Sequence, residues 1–216
     1  MSVTPRAPIL IITTGRARFG DYLGEILRTE GLNVFEMRKL SSIDAALLRL
    51  YEVVILMEGA LSDRQVDLLS TYVSDGGRLI GIKPDRGLAE VFGLQTAQGS
   101  TGEGYVRFNS STPVGRGLVD DTLQFHGEAD HYSNVDATIV ARLYEDSGTA
   151  TAFPAIAHKG RTVIFTYNLA RSIAGRLEVL QSGMRSTCLP GARIRGQGKP
   201  VTVSTPETNQ EPPRAL

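Results

Sequence analysis

Apolar residues along the chain fall into short runs separated by longer amphipathic stretches, and this alternation sets the expected architecture. Ile9 to Thr13 and Asn33 to Met37 predict two strands, and between them Leu23, Ile26 and Leu27 mark the inner face of a helix. That helix is expected to be capped by Asp21 and to stop at Gly31. Ser42 predicts the cap of a short second helix running to Leu50, apolar at Ile43, Ala46, Leu47 and Leu50. Val53 to Met57 is a continuous apolar run, β-branched at its start, as a strand buried on both faces of a parallel sheet requires. In the third helix Ser62 and Gln65 have capping-box spacing, Leu61 and Val66 form a hydrophobic staple, and Val66, Leu69 and Val73 continue one stripe. Gly76-Gly77 ends it, and Arg78 to Ile82 returns as a strand. Strand and helix in alternation predict a parallel sheet with helices on both faces and right-handed crossovers.

After Gly93 the pattern changes. Gln95 to Gly104 is polar and glycine-rich, followed by strand candidates at Tyr105 to Phe108, Leu123 to Phe125 and Ala137 to Leu143. Phe153 to His158 and Thr162 to Tyr167 flank Lys159-Gly160 and read as a hairpin. These pieces are expected to complete the same domain as an antiparallel edge, giving one α/β domain over residues 1–174. From Gly175 the periodicity stops. Residues 175–216, rich in Gly, Pro, Ser, Thr and Arg, are expected to be an irregular or disordered tail, and the abrupt change raises the expectation of a shortened or frame-altered end.

Composition narrows the function classes. With 23 basic and 23 acidic residues in 216, the chain has no net charge to attract nucleic acid or an anionic membrane, and neither is expected as a partner. The one cysteine, Cys188, offers neither an internal disulfide nor a metal cluster, and no cofactor or metal is expected. Ile9 to Ile12 is too short for a signal peptide or a membrane span, so a cytoplasmic location is the expectation.

Candidate chemistry sits mainly at the carboxyl ends of the predicted parallel strands, where open α/β sheets bind ligands. The turns Glu58-Gly59 and Lys83-Pro84 should lie side by side there. Lys83 either precedes a helix entrance at which Asp85 meets the dipole favourably, or uses its amine to hold an anion or the Glu58 carboxylate. Thr14, Gly15 and Arg16 form a glycine-bearing loop that could cradle a phosphate or flavin, but they lack the Gly-x-Gly-x-x-Gly and Walker patterns. His126 and Glu128, with Asp130 and His131 nearby, read either as a hydrogen-bonded loop or as one that contacts a ligand.

An apolar strand, a glycine-bearing turn, a capped helix, a Gly-Gly stop, a Gly81-Ile82-x turn and a segment ending Phe92-Gly93 resemble the class I glutamine amidotransferase-like superfamily. That resemblance implies a three-layer flavodoxin-like sandwich. In active members the turn after the fourth strand is a nucleophile elbow, Gly-x-Cys-x-Gly. Here it reads Gly81-Ile82-Lys83-Pro84-Asp85, so Lys83 stands at the thiol position and Pro84 brings no N–H to an oxyanion. The family's His-x-Glu is expected where the chain has Tyr167-Asn168-Leu169. The resemblance therefore implies a member without glutaminase activity, serving as a binding, regulatory or assembly module. It extends to the trimer-forming domain of bacterial β-galactosidases and to trehalose-utilisation domains, which implies a carbohydrate or other small polar ligand and a homo-oligomer. The alternative is a hydrolase acting on a sugar or similar molecule through Glu58, Lys83, His126 or Glu128.

Overall fold

Alternation along each parallel strand divides its side chains between two helical layers. The structure, a computed structural model, describes residues 7–15, 19–113, 116–117 and 122–174, and the expected tail lies outside them. Strands β1 (Ile9–Thr13), β2 (Phe35–Lys39), β3 (Val53–Leu56) and β4 (Arg78–Ile82) run parallel, with Ile9 opposite both Phe35 and Val53. Leu10, Ile12, Val54, Leu56 and Leu79 point to one side and meet Leu48, Leu69, Tyr72, Leu88 and Phe92. Ile11, Ile55, Met57 and Ile82 point to the other and meet Leu23 of helix α1 (Phe19–Thr29) together with Ala170. Helices α2 (Ala45–Leu48) and α3 (Asp63–Ser74), with a 3₁₀-helix over Arg86–Phe92, carry the first layer, so the domain is a three-layer α/β sandwich.

The remaining strands are β5 (Leu94–Gly102), β6 (Tyr105–Phe108), β7 (Thr122–Gln124), β8 (Glu128–Asn134), β9 (Thr138–Tyr144), β10 (Ala150–Lys159) and β11 (Thr162–Phe165). In the nine-stranded sheet the order is β2-β1-β3-β4-β11-β10-β9-β6-β7. β11 joins β4 in parallel, and the strands from β10 to β7 extend the sheet antiparallel. A second core of Val106, Phe125, Val140, Leu143, Ile156 and Tyr167 packs against that extension.

Several local expectations shift. Asp21 lies inside α1 and so is not its cap. β2 begins at Phe35 because parallel register with β1 buries that ring, leaving Val34 exposed. Ser42 closes a 3₁₀ turn by donating its hydroxyl to the Lys39 carbonyl, while Asp44 caps α2 by accepting the Leu47 N–H at 2.7 Å. This cap sets the phase of the helix, so Leu48 is buried and Leu50 is outside. The Ser62–Gln65 box forms, with the Ser62 N–H donating to Gln65 Oε1 at 3.0 Å.

The largest correction concerns Gln95 to Gly104, which the sequence gives as a polar, glycine-rich stretch, and the residues after His126, which it gives as a loop. They form the antiparallel β5–β8 ribbon. Its surface is largely exposed and lacks regular alternation, so pairing rests on the backbone, on the His131 ring, whose nitrogens lie 2.8 Å from Thr101 Oγ1 and 3.2 Å from the Gln98 carbonyl oxygen, and on an arginine clamp. The Arg86 guanidinium donates to the Ala97 carbonyl at 2.9 Å, the Gly99 carbonyl at 3.1 Å and the Asp130 carboxylate at 3.0 Å. Pairing with that carboxylate raises the Arg86 pKa above its ordinary value.

Candidate functional site

The parallel strands β1, β3, β4 and β11 end at one rim, and the residues that follow them meet there. Lys83 follows β4 at φ 46°, in the left-handed region, which costs a residue with a Cβ about 1–2 kcal/mol. Its N–H donates to the Phe165 carbonyl at 2.7 Å, extending the β4–β11 ladder by one rung. The amine lies 3.1 Å from Glu58 Oε1, with the side chains 17% and 35% exposed. Asn168, which follows β11, donates from Nδ2 to Glu58 Oε2 at 2.7 Å. Its Oδ1 accepts the Arg171 N–H at 2.9 Å, an N-cap for the helical residues 169–174. Both oxygens of the Glu58 carboxylate are therefore engaged.

Thr14 closes the rim on the β1 side by donating its hydroxyl to the Glu58 carbonyl. A Cβ on Gly59 would collide with Thr14, so glycine there permits the two loops to touch. Gly15 is exposed at φ 76°, and Arg16 lies outside the described residues. Asp85 faces the protein: Oδ1 accepts the Gly87 N–H at 2.8 Å, capping the 3₁₀-helix, and Oδ2 accepts the Leu61 N–H at 3.0 Å. It thereby ties the turn after β4 to the one after β3.

His126 belongs to a separate group. Its Nδ1 is 3.0 Å from Glu103 Oε2, and Glu103 Oε1 accepts the Gly127 N–H at 2.8 Å. That backbone donor, followed by His126, holds the Glu103 carboxyl below its ordinary pKa. The His126 N–H donates to Ser172 Oγ at 3.1 Å, and the Ser172 hydroxyl donates to the Asn168 carbonyl at 3.0 Å. Glu128 is exposed at the start of β8, opposite Gly102. The structure thus brings Lys83, Glu58 and Thr14 together and gives His126 a different acid. Sequence reasoning did not single out Asn168 and Glu103, the partners that complete these groups, although Asn168 lies in the Tyr167-Asn168-Leu169 stretch where the resemblance expects His-x-Glu. Among the described residues no group of His, Cys, Asp and Glu is arranged to hold a metal ion.

Lys83 combines an unfavourable backbone with a favourable ion pair, and two substitutions separate them. Both Lys83→Ala and Lys83→Gly lose the ion pair, which at this partial exposure should cost about 1–2 kcal/mol. Glycine also removes the left-handed strain, so it should be about 1 kcal/mol less destabilising than alanine. Urea denaturation measures both variants, and a glycine variant no more stable than the alanine one would show that the turn stores no strain.

No protein-family profile and no curated protein sequence matches the chain, but solved structures share its fold. An α-L-fucosidase isoenzyme 2 from Paenibacillus thiaminolyticus superposes with TM-score 0.63 at 14% identity, over 83% of this chain and 32% of that one. A glutamine amidotransferase from Thermotoga maritima gives TM-score 0.56 at 16% identity, over 83% and 84% of the two chains. A β-galactosidase from Rahnella sp. R3 gives 0.57 at 15% identity, over 83% and 31%. The protein has the flavodoxin-like fold of glutamine amidotransferases and of glycosidase-associated domains. It spans about a third of the length of the fucosidase and the galactosidase. No helix among the described residues is long and apolar enough to cross a membrane.

Proposed function

We propose that this chain is a non-catalytic binding, regulatory or assembly module on the amidotransferase-like fold, linked to carbohydrate metabolism. The observation that carries the reading is the closed Lys83–Glu58–Asn168 group. At the rim where the fold places its nucleophile, an amine is neutralised at 3.1 Å by a carboxylate whose other oxygen accepts an amide at 2.7 Å. A nucleophile needs a neighbouring base and oxyanion donors. Here the Lys83 N–H is used by the sheet and Pro84 has none. Structural likeness to parts of carbohydrate-active enzymes supports the carbohydrate link, and the resemblance to a trimer-forming domain supports self-association.

Light scattering across a concentration series should show a reversible oligomer, and a thermal-shift screen should show no stabilisation by glutamine. A monomer at every concentration that also ignores sugars would sink the assembly and carbohydrate reading. A second reading, hydrolysis of a sugar or other small polar substrate by non-thiol chemistry, draws on the backbone strain at Lys83, since such strain clusters at functional sites. Turnover of chromogenic glycosides lost on Glu58→Gln would favour it.

A further inference from the structure

Away from the rim, the antiparallel extension carries a second group of polar side chains. β6 and β9 pair so that Arg107 lies directly opposite Arg142, and both side chains are exposed. Like charges directly opposed across a strand pair destabilise it. Elsewhere the chain matches such cations with acids: Arg38 with Glu36, Arg49 with Asp75, Arg78 with Glu52 and Arg86 with Asp130. Among the described residues the Arg107 side chain has no hydrogen-bond or ion-pair partner. Arg142 has one long bond, from Nη1 to the Ala152 carbonyl at 3.4 Å. Arg107 and Arg142 line an open groove of about 420 Å³, and among the described residues its wall has no carboxylate.

We propose that this groove binds a small phosphorylated polar molecule, with the phosphate between Arg107 and Arg142. Three features select that chemistry. Two guanidinium forks match the oxygens of one phosphate, and the dianion present near neutral pH offsets both charges where a single carboxylate would leave one. The groove is longer than a phosphate alone requires, and its wall continues through Asn109, Ser110 and the half-buried Tyr144. Asn109 keeps Oδ1 on the Ser111 N–H and hydroxyl, at 3.1 and 2.6 Å, which leaves its amide Nδ2 as a donor for a hydroxylated ligand. The Tyr144 ring supplies an apolar face with a polar tip, suited to a sugar-like ring.

Calorimetric titration of the full chain with a hexose 6-phosphate, inorganic phosphate and the unphosphorylated hexose, at matched ionic strength, tests the site. The hexose phosphate should bind more tightly than inorganic phosphate, and the neutral hexose should not bind. Arg107→Gln and Arg142→Gln should each weaken binding by about tenfold or more, the loss of a charge-assisted contact. The ligand-free Arg107→Gln protein should melt no lower than the parent because repulsion is removed, which separates lost binding from lost folding. Absence of binding by either phosphate, or unchanged binding in the double variant, overturns the site. Equal affinity for inorganic phosphate overturns the organic part of the ligand, and a lower melting point for ligand-free Arg107→Gln overturns the claim that the pair is unsatisfied.

Discussion

Changing Lys83 to cysteine should yield a folded protein that releases no ammonia from glutamine above the uncatalysed rate. The new thiol would sit beside the Glu58 carboxylate, and a negative neighbour disfavours the thiolate that must attack. The group arriving from β11 is the Asn168 amide, which cannot take a proton, and it is occupied by Glu58 Oε2 and the Arg171 N–H. Loss of the base alone costs a catalytic triad roughly a million-fold in turnover, and loss of one oxyanion donor about a hundred- to a thousand-fold. Pro84 removes the donor that follows the nucleophile, and residue 83's own N–H remains bonded to Phe165. A coupled ammonia assay, with circular dichroism to confirm folding, decides the matter. Any rate lost again on alkylating the new thiol would overturn the claim that the base and the oxyanion donors around position 83 are missing.

What the sequence made legible was local. β1, β3, α3 and β4 each announce themselves within a few residues, through a β-branched run, a capping box or a glycine stop, and their order sets the parallel sheet. The β5–β8 ribbon does not, because its clamp is Arg86, whose contacts to Gly99 and Asp130 span 13 and 44 residues. Helix α2 shows the same limit at short range: Ser42 and Asp44 are both competent caps, and the chain's use of Asp44 is what puts Leu48 inside. At the rim, strand order places Glu58 beside Lys83. Asn168 reaches Glu58 across 110 residues, and only the order of elements pointed to its neighbourhood. The partner of His126, Glu103, lies 23 residues back at φ 30°, in a segment whose glycine-rich composition reads as featureless.

Phe92→Ala should destabilise the domain by about 3–5 kcal/mol, the range for truncating a fully buried aromatic side chain. Phe92 is 1% exposed and belongs to the core between the sheet and the α3 layer. It also bears on the Lys83 turn. A Cβ built on Gly81 would come within 2.7 Å of Pro84 Cγ and 2.8 Å of Phe92 Cζ, so glycine lets both rings close over β4. Gly81→Ala should therefore cost about 1–3 kcal/mol as overpacking in a site with little room to relax. The two changes share a contact and should not be additive. With the Phe92 ring gone, the added methyl faces only Pro84 and can fill part of the vacated space, giving a coupling of about 1 kcal/mol in favour of the double variant. Guanidinium denaturation of all four proteins, with unchanged slopes, measures that term. Additive losses would mean that Pro84 alone bears the methyl, and that Phe92 plays no part in seating the turn where Lys83 meets Glu58.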